Sequence, residues 1–425
     1  LSIIELGEVR DEPASTPPPR RPRAAGRPLR STAVLLLTLA VLTAAAPVPR
    51  RTVTSVPTAP GASAYLVEDG IVVVDPSTPD GDRYLTSYTR PASTGDRSVR
   101  RRWQVPLARS GDYLAVWAER GLLLAAAANA ADGVLETTAF DAETGQRRWQ
   151  HRGLVQWTTD GGLLLANDSG DGPGTVRRVA PDTGRVLWSL PIPPGSPDYH
   201  NRAGGVDQVV FVQPTGEVQV YDAGTGDLLR SVDTLPGDRS AFQRVQVVGD
   251  LVLLVPPGST RLVAYGLPGM DPLWTAPVPL VAWVTVCADL LCTVQQTGEI
   301  QAIDPATGAV RWSDAGPDTL ADVRQDKLLV TGPDQRYAVR DAKTGRERTD
   351  LGQWGLVSRL RRDDDLIGVR PAAGGRLVVA ELDLAAGRAR ILDVLPGVVG
   401  GCQAAPPVLL CRRLDGSTAL WRLPR

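Results

Sequence analysis

The chain has 425 residues, 43% hydrophobic and 22% charged, with a formal net charge of −1. That is ample apolar material for a large core, and the near-neutral balance offers no electrostatic footing for nucleic acid or acidic ligands.

Residues 1–30 carry Pro13, Pro17, Pro18, Pro19, Pro22 and Pro28, which obstruct helix, and little apolar surface to fold around. They read as a disordered cytoplasmic segment. Residues 31–48 form an apolar run ending near Ala44-Ala45-Ala46, preceded by Arg20, Arg21, Arg23, Arg27 and Arg30. Eighteen residues is the short limit for a bilayer-spanning helix, and the preceding arginines place the chain beyond it outside the cytoplasm. The run reads as a single-pass signal anchor, with a cleaved signal peptide as the alternative; the long leading segment favours the anchor. Residues 49–63 read as a Pro-rich tether.

From there a repeat takes over. Asp141-Ala-Glu-Thr144-Gly145 is followed by Trp149, and Asp304-Pro-Ala-Thr307-Gly308 by Trp312. Thr183-Gly184 followed by Trp188 keeps all but the Asp. Asp222 with Gly226 and Asp341 with Gly345 keep the turn and lose the Trp. Gly95 opens the series, and a degenerate copy is expected at Gly269 with Trp274. An Asp precedes each apolar run in four units (Asp207, Asp250, Asp289, Asp326), 19 residues before Gly226, Gly269, Gly308 and Gly345 respectively. A further copy surrounds Gly387, and a last partial one ends at Trp421. A period near forty means one supersecondary unit copied along the chain. Within a unit the short β-branched runs predict four strands, for example Val245–Val248, Leu251–Val255, Leu262–Tyr265 and Leu273–Thr275. Such a sheet cannot bury both faces alone, but a ring of them can.

This pattern over residues 64–425 resembles the pyrroloquinoline-quinone-like (PQQ-like) propeller repeat, in which the Trp docks neighbouring blades. The resemblance implies an all-β propeller. Eight Gly-centred copies predict eight four-stranded blades, seven being the alternative, with the partial ninth copy sharing a blade with the N-terminal strands. The blade-docking set is then Asp141, Gly145, Trp149, Gly184, Trp188, Asp222, Gly226, Trp274, Asp304, Gly308, Trp312, Asp341 and Gly345. The Asp is expected to accept turn N–H groups, the Gly to supply positive φ, and the Trp to lie on the adjacent blade.

Cys287 and Cys292 flank the first hairpin of one unit, and Cys402 and Cys411 the same hairpin of the last. They read as two structural disulfides, which fits a location outside the cytoplasm; four buried thiols are the alternative. No His completes a metal set beside them.

Chemistry is sparse. His151 and His200 read as solvated loop residues, and no nucleophile elbow or phosphate loop occurs. Asp363-Asp364-Asp365 reads as a turn, and Arg100-Arg101-Arg102 as a solvated edge. Trp117, Trp157, Trp283 and Trp354 lie outside the repeat position; Trp157 and Trp283 fall in first strands, which would line the axis. Quinone enzymes of the resembling family place a cofactor there over calcium, often beside adjacent cysteines. This chain has no Cys-Cys pair, so no cofactor and no metal is expected, and no catalytic residue is assigned. The expected function is a membrane-tethered, extracytoplasmic, non-catalytic binding or scaffolding module. Its expected partner is a protein or other cell-envelope component. The alternatives are an enzyme using the channel, PQQ-dependent or otherwise, and a sensor relaying through a partner.

Overall fold

The computed structural model describes residues 53–424 apart from 77–82, 92–97, 108–112, 130–131, 168–173, 194–196, 235–243, 257–259, 268 and 317. The segments read as disordered (1–30) and membrane-spanning (31–48) lie outside the described residues, as does Gly95. Among the described residues no helix is long and apolar enough to cross a membrane.

Those residues form nine antiparallel sheets in chain order. Blade 1 spans 63–106, blade 2 113–152, blade 3 154–192, blade 4 198–233 and blade 5 244–277. Blade 6 spans 281–314, blade 7 319–353, blade 8 355–396 and blade 9 398–422. In blades 1 to 7 the second strand is the most deeply buried, and in blades 8 and 9 the third; Gly70–Val74 and Leu290–Gln295 are buried along their whole length. A strand covered on both faces needs an apolar residue at every position, which is why an unbroken apolar run follows each repeat Asp. The fourth strands, such as Arg101–Pro106, alternate buried and exposed instead.

First strands of neighbouring blades approach one another, as Ser63–Val67 does Tyr113–Glu119 and Asp198–Arg202 does Arg244–Val248. They form the inner edge, and fourth strands the rim. Nine apolar clusters each join two consecutive blades. One packs Trp149 and Leu124 of blade 2 on Leu163 and Val179 of blade 3; another packs Leu410 and Leu420 of blade 9 on Ile71 and Val73 of blade 1. The ninth seam closes the ring. Burial therefore lies between blades, as expected when no blade holds a core of its own.

Nine blades replace the eight expected. Each Gly-centred copy builds a complete sheet, and the last partial copy builds another with a strand from the chain start. Val53–Val56 pairs antiparallel with Thr418–Arg422, Val53 opposite Trp421, and supplies the fourth strand of blade 9. The N-terminal strand adds to a ninth sheet rather than completing an eighth, and part of the stretch assigned to a tether belongs to the ring. Antiparallel order puts the turns after the first and third strands on one face. The chain enters at Val53 and leaves past Arg422 on that same face.

Candidate functional site

The repeat turn is built around its carboxylate. Asp141 Oδ1 accepts from the backbone N–H of Glu143 (3.1 Å) and Thr144 (2.8 Å) and from the Thr144 hydroxyl (2.9 Å), while Oδ2 accepts from Arg148 (2.7 Å). Asp222, Asp304 and Asp341 repeat the backbone bonds. The Arg148 hydrogen bond, then those from Thr144, hold the Asp141 carboxyl down at about 2. Arg311 lowers Asp304 in the same way. The turn closes when the repeat Gly donates its N–H to the carbonyl four residues back, as from Gly145 to Asp141 at 2.9 Å. The glycine has positive φ at Gly145, Gly184, Gly226, Gly308 and Gly345, a conformation that disfavours other residues.

Each repeat Trp reaches forward to the next blade. The indole N–H of Trp149 donates to Pro181 O at 2.5 Å, that of Trp188 to Gly224 O at 3.3 Å, that of Trp274 to Pro305 O at 2.8 Å and that of Trp312 to Ala342 O at 3.0 Å. Their rings lie on the glycine of the next turn. A Cβ on Gly184 would meet Trp149 at 2.4 Å, one on Gly226 would meet Trp188 at 2.9 Å, one on Gly308 Trp274 at 2.7 Å and one on Gly345 Trp312 at 2.6 Å. Gly145 receives Trp103, which donates to Ala142 O at 3.0 Å. Trp103 does not stand out in the sequence, because it lies eight residues after Gly95 rather than four.

The seams of blades 4 and 5 and of blades 7 and 8 depart from this plan, and the fourth strands of blades 8 and 9 supply no indole either, Ile391 standing four residues after Gly387 and Val53–Val56 holding no Trp. In blade 5 the residue at the glycine position is Met270, not Gly269. Met270 has φ +56° and donates its N–H to Gly266 O at 2.7 Å, the closing bond of the turn. It is 2% exposed within the seam to blade 4. Blade 4 carries Arg230, not Trp, at the docking position four residues after Gly226. At the seam of blades 7 and 8, Thr349 stands where a Trp would, and a Cβ on Gly387 would meet its hydroxyl at 2.8 Å.

Both histidines sit in seams rather than in solvated loops. His151 lies on the fourth strand of blade 2, its Nε2 2.7 Å from Gly184 O. His200, 3% exposed, stands on the first strand of blade 4 with Nδ1 2.5 Å from Asp207 and Nε2 3.2 Å from Asp250 of blade 5. In the sequence Pro197-Asp198-Tyr199 before it looks like a loop, although Asp198–Arg202 is a strand. Asp363–Asp365 does form a turn, with Asp364 accepting from Arg361 N–H at 2.9 Å. Trp117 and Trp157 pack on the seam of blades 2 and 3, Trp283 on that of blades 6 and 7 and Trp354 on that of blades 7 and 8.

Cys287 is bonded to Cys292 (Cα–Cα 5.7 Å) and Cys402 to Cys411 (4.1 Å). The two bridges are not at equivalent places. Cys292 and Cys411 both lie on second strands, but Cys287 ends its first strand opposite Leu290, whereas Cys402 lies within a bulged stretch of its own.

The inner edge is crossed between blades 7 and 1. The first strand of blade 8 stops after Gly355–Leu356, and Ser358–Arg359 pairs parallel to the inner strand of blade 9. Arg359 then pairs with Asp322 of blade 7 at 2.8 Å, and Arg361 with Glu68 of blade 1. Gln403 of blade 9 bonds Leu66 N–H and Ala64 O of blade 1. These charges are paired with one another across the ring, and among the described residues no three His, Cys, Asp or Glu side chains converge as metal ligands.

Residues 261–399 match the family described as "Outer membrane protein assembly factor BamB". The matched stretch runs from the third strand of blade 5 to the start of blade 9 and includes Trp274, Gly308, Trp312 and Gly345. Over that stretch the chain is similar to the PQQ-like propeller family. BamB from Moraxella catarrhalis is 14% identical over 87% of this chain and 97% of that one, with a TM-score of 0.40. The computationally designed Ika8 protein is 19% identical over 74% and 96%, with a TM-score of 0.49. The C-terminal WD40 domain of Sif2 is 10% identical over 88% and 99%, with a TM-score of 0.47. Comparison with curated proteins finds no match.

Proposed function

We propose that the protein is a non-catalytic binding or scaffolding propeller, held outside the cytoplasmic membrane by residues 31–48, that engages a protein or another cell-envelope component. The observation that carries this reading is how fully the repeat side chains are used within the turns and seams: Asp141, Asp222, Asp304 and Asp341 bind their own turns, and the indoles bind the next blade. What such a ring offers is two broad faces of loops on a rigid frame, the common use of propellers. The two disulfides suit an oxidising compartment. The matched family's description, an assembly factor, agrees with a protein partner. Proximity labelling in the native cell, with the enzyme fused after Arg425, tests the reading: recovery of envelope proteins supports it. Dye reduction by purified protein mixed with PQQ and calcium would overturn it. The mass of the mature N-terminus decides between an anchor and a cleaved signal peptide.

A further inference from the structure

Blade 9 closes the ring, and its first strand carries the ties of that closure side by side. Cys402 is bonded to Cys411 on the second strand. Gln403 accepts from Leu66 N–H at 2.7 Å and donates to Ala64 O at 2.9 Å, which holds the first strand of blade 1. Gln403 and Ala404 also pair with Ser358 and Arg359, and Leu360 N–H donates to Ala404 O at 3.0 Å. The backbone just before them is irregular. Gly401 and Cys402 together face the single Cys411, because the register jumps from Gly400 opposite Arg412 to Gln403 opposite Leu410. Gly400 has φ +132° and Gly401 φ +59°, conformations that disfavour other residues. A bulge of this kind takes residues out of the ladder, so the disulfide is what fixes its place. A cleft of about 220 Å³ lies against it, lined by Gly401 and Gln403 and by Ser63, Ala64 and Tyr65 of blade 1. The bulge has room to shift on that side.

The two bridges differ in access. Cys287 and Cys292 are both fully buried, in the seam of blades 6 and 7 with Leu290, Leu320 and Leu328. Cys411 is fully buried too, but Cys402 is partly exposed and follows the exposed Gly401. Thiol–disulfide exchange begins when a thiolate reaches one of the two sulfurs, so it depends on access, and exposed disulfides are the labile ones. Cys402 offers that point of attack in the closed ring. The Cys287–Cys292 pair offers none until its seam opens.

We propose that Cys402–Cys411 is a redox latch on ring closure, opened by a dithiol while the protein stays folded. A thiolate of the reductant attacks Cys402 Sγ, the S–S bond breaks, and Cys411 leaves as a thiolate and takes up a proton. The second thiol of the reductant then displaces Cys402 from the mixed disulfide. Two electrons and two protons pass to the protein, and the reductant becomes a disulfide. The freed bulge loosens the grip of Gln403 on blade 1. The latch does not depend on what the loop faces bind. The test is treatment of the full chain with dithiothreitol in the absence of denaturant, trapping with iodoacetamide and peptide mass spectrometry, with hydrogen exchange followed on the same samples. Cys402 and Cys411 should be trapped while Cys287 and Cys292 stay bonded. Exchange at Leu66 N–H should quicken about tenfold, the equivalent of about 1.4 kcal/mol of lost hydrogen bonding, and slow again on reoxidation. Exchange over Leu290–Gln295 should not change. Gln403→Leu should show the faster Leu66 exchange while still oxidised and gain nothing on reduction. Trapping of Cys287 and Cys292 first or together with the other pair, no trapping until urea is added, or a Leu66 N–H indifferent to reduction would each overturn the proposal.

Discussion

The seam between blades 5 and 6 allows the docking mechanism to be tested as a coupling rather than as a loss. Trp274 is 9% exposed, and its truncation to Ala removes an indole that bonds Pro305 O; a buried Trp lost in this way costs about 3–5 kcal/mol. Gly308→Ala adds a Cβ at φ +71°, worth about 1–2 kcal/mol of left-handed strain. That Cβ also meets indole atoms Cε3, Cδ2 and Cγ at 2.7, 2.8 and 3.0 Å, and overpacking of this kind costs about 1–3 kcal/mol. The indole is the source of the clash, so in a Trp274→Ala background the glycine substitution should cost only its φ strain. The two changes together should therefore fall short of their sum by about 1–3 kcal/mol. Urea denaturation of the four proteins measures this, with midpoints compared at a common m-value. Additivity to within about 0.5 kcal/mol would show that the ring does not rest on that glycine, and the wedge account of the seams would fail.

Three further outcomes follow from the same geometry. Replacing Cys287 and Cys292 with Ala should lower stability by about 2 kcal/mol and replacing Cys402 and Cys411 slightly more, because the second loop is longer; reductant should reproduce the loss in the parent and add none in a protein lacking both bridges. Asp141 is held below its ordinary 3.8, at about 2; a depressed carboxyl contributes stability that is complete above about pH 4 and fades as pH falls toward 2. Asp141→Asn should thus lower the urea midpoint at pH 7, and the gap to the parent should shrink over that acid window; a gap independent of pH would refute the assignment. At the seam of blades 4 and 5, Arg230→Trp alone should destabilise, because Met270 already fills the seam, whereas Arg230→Trp with Met270→Gly should recover the loss; thermal melts of the three proteins decide it.

The strands of blade 5 were legible almost residue for residue: Leu251–Val255 is the same in sequence and structure, and the expected Leu262–Tyr265 lies within Arg261–Gly266. Short β-branched runs bounded by Gly and Pro carry that information locally. The blade count was not local. It depends on where Val53–Val56 pairs, a contact with Trp421 made across the whole length of the chain, and nothing in a four-residue run names its partner. Met270 was missed for a similar reason. Gly269 kept the 19-residue offset from Asp250, yet blade 5 holds one extra residue between Asp250 and Gly266, ahead of the turn, and a methionine at positive φ has no sequence signature.

The continuous motif Asp-x-x-Thr-Gly-x-x-x-Trp hides how the ring is held together. Gly145 and Trp149 are neighbours in the chain, but Gly145 receives Trp103 from the blade before, and Trp149 goes on to Gly184 in the blade after. The unit that must fit is the Trp of one copy with the Gly of the next. On that pairing the irregular copies become consistent. Blade 4 lacks its Trp, carrying Arg230, and it is blade 5 that lacks the facing Gly, carrying a buried Met270 in the vacated seam. Blade 7 lacks its Trp, and its Thr349 sits against Gly387 of blade 8. An indole needs a bare backbone to lie on; without the indole, a side chain from the facing turn can fill the gap. At the seam of blades 4 and 5 the two departures face each other, whereas at that of blades 7 and 8 the Gly is kept and the shorter Thr349 lies on it; a ring can tolerate such changes because each seam is packed independently of the rest.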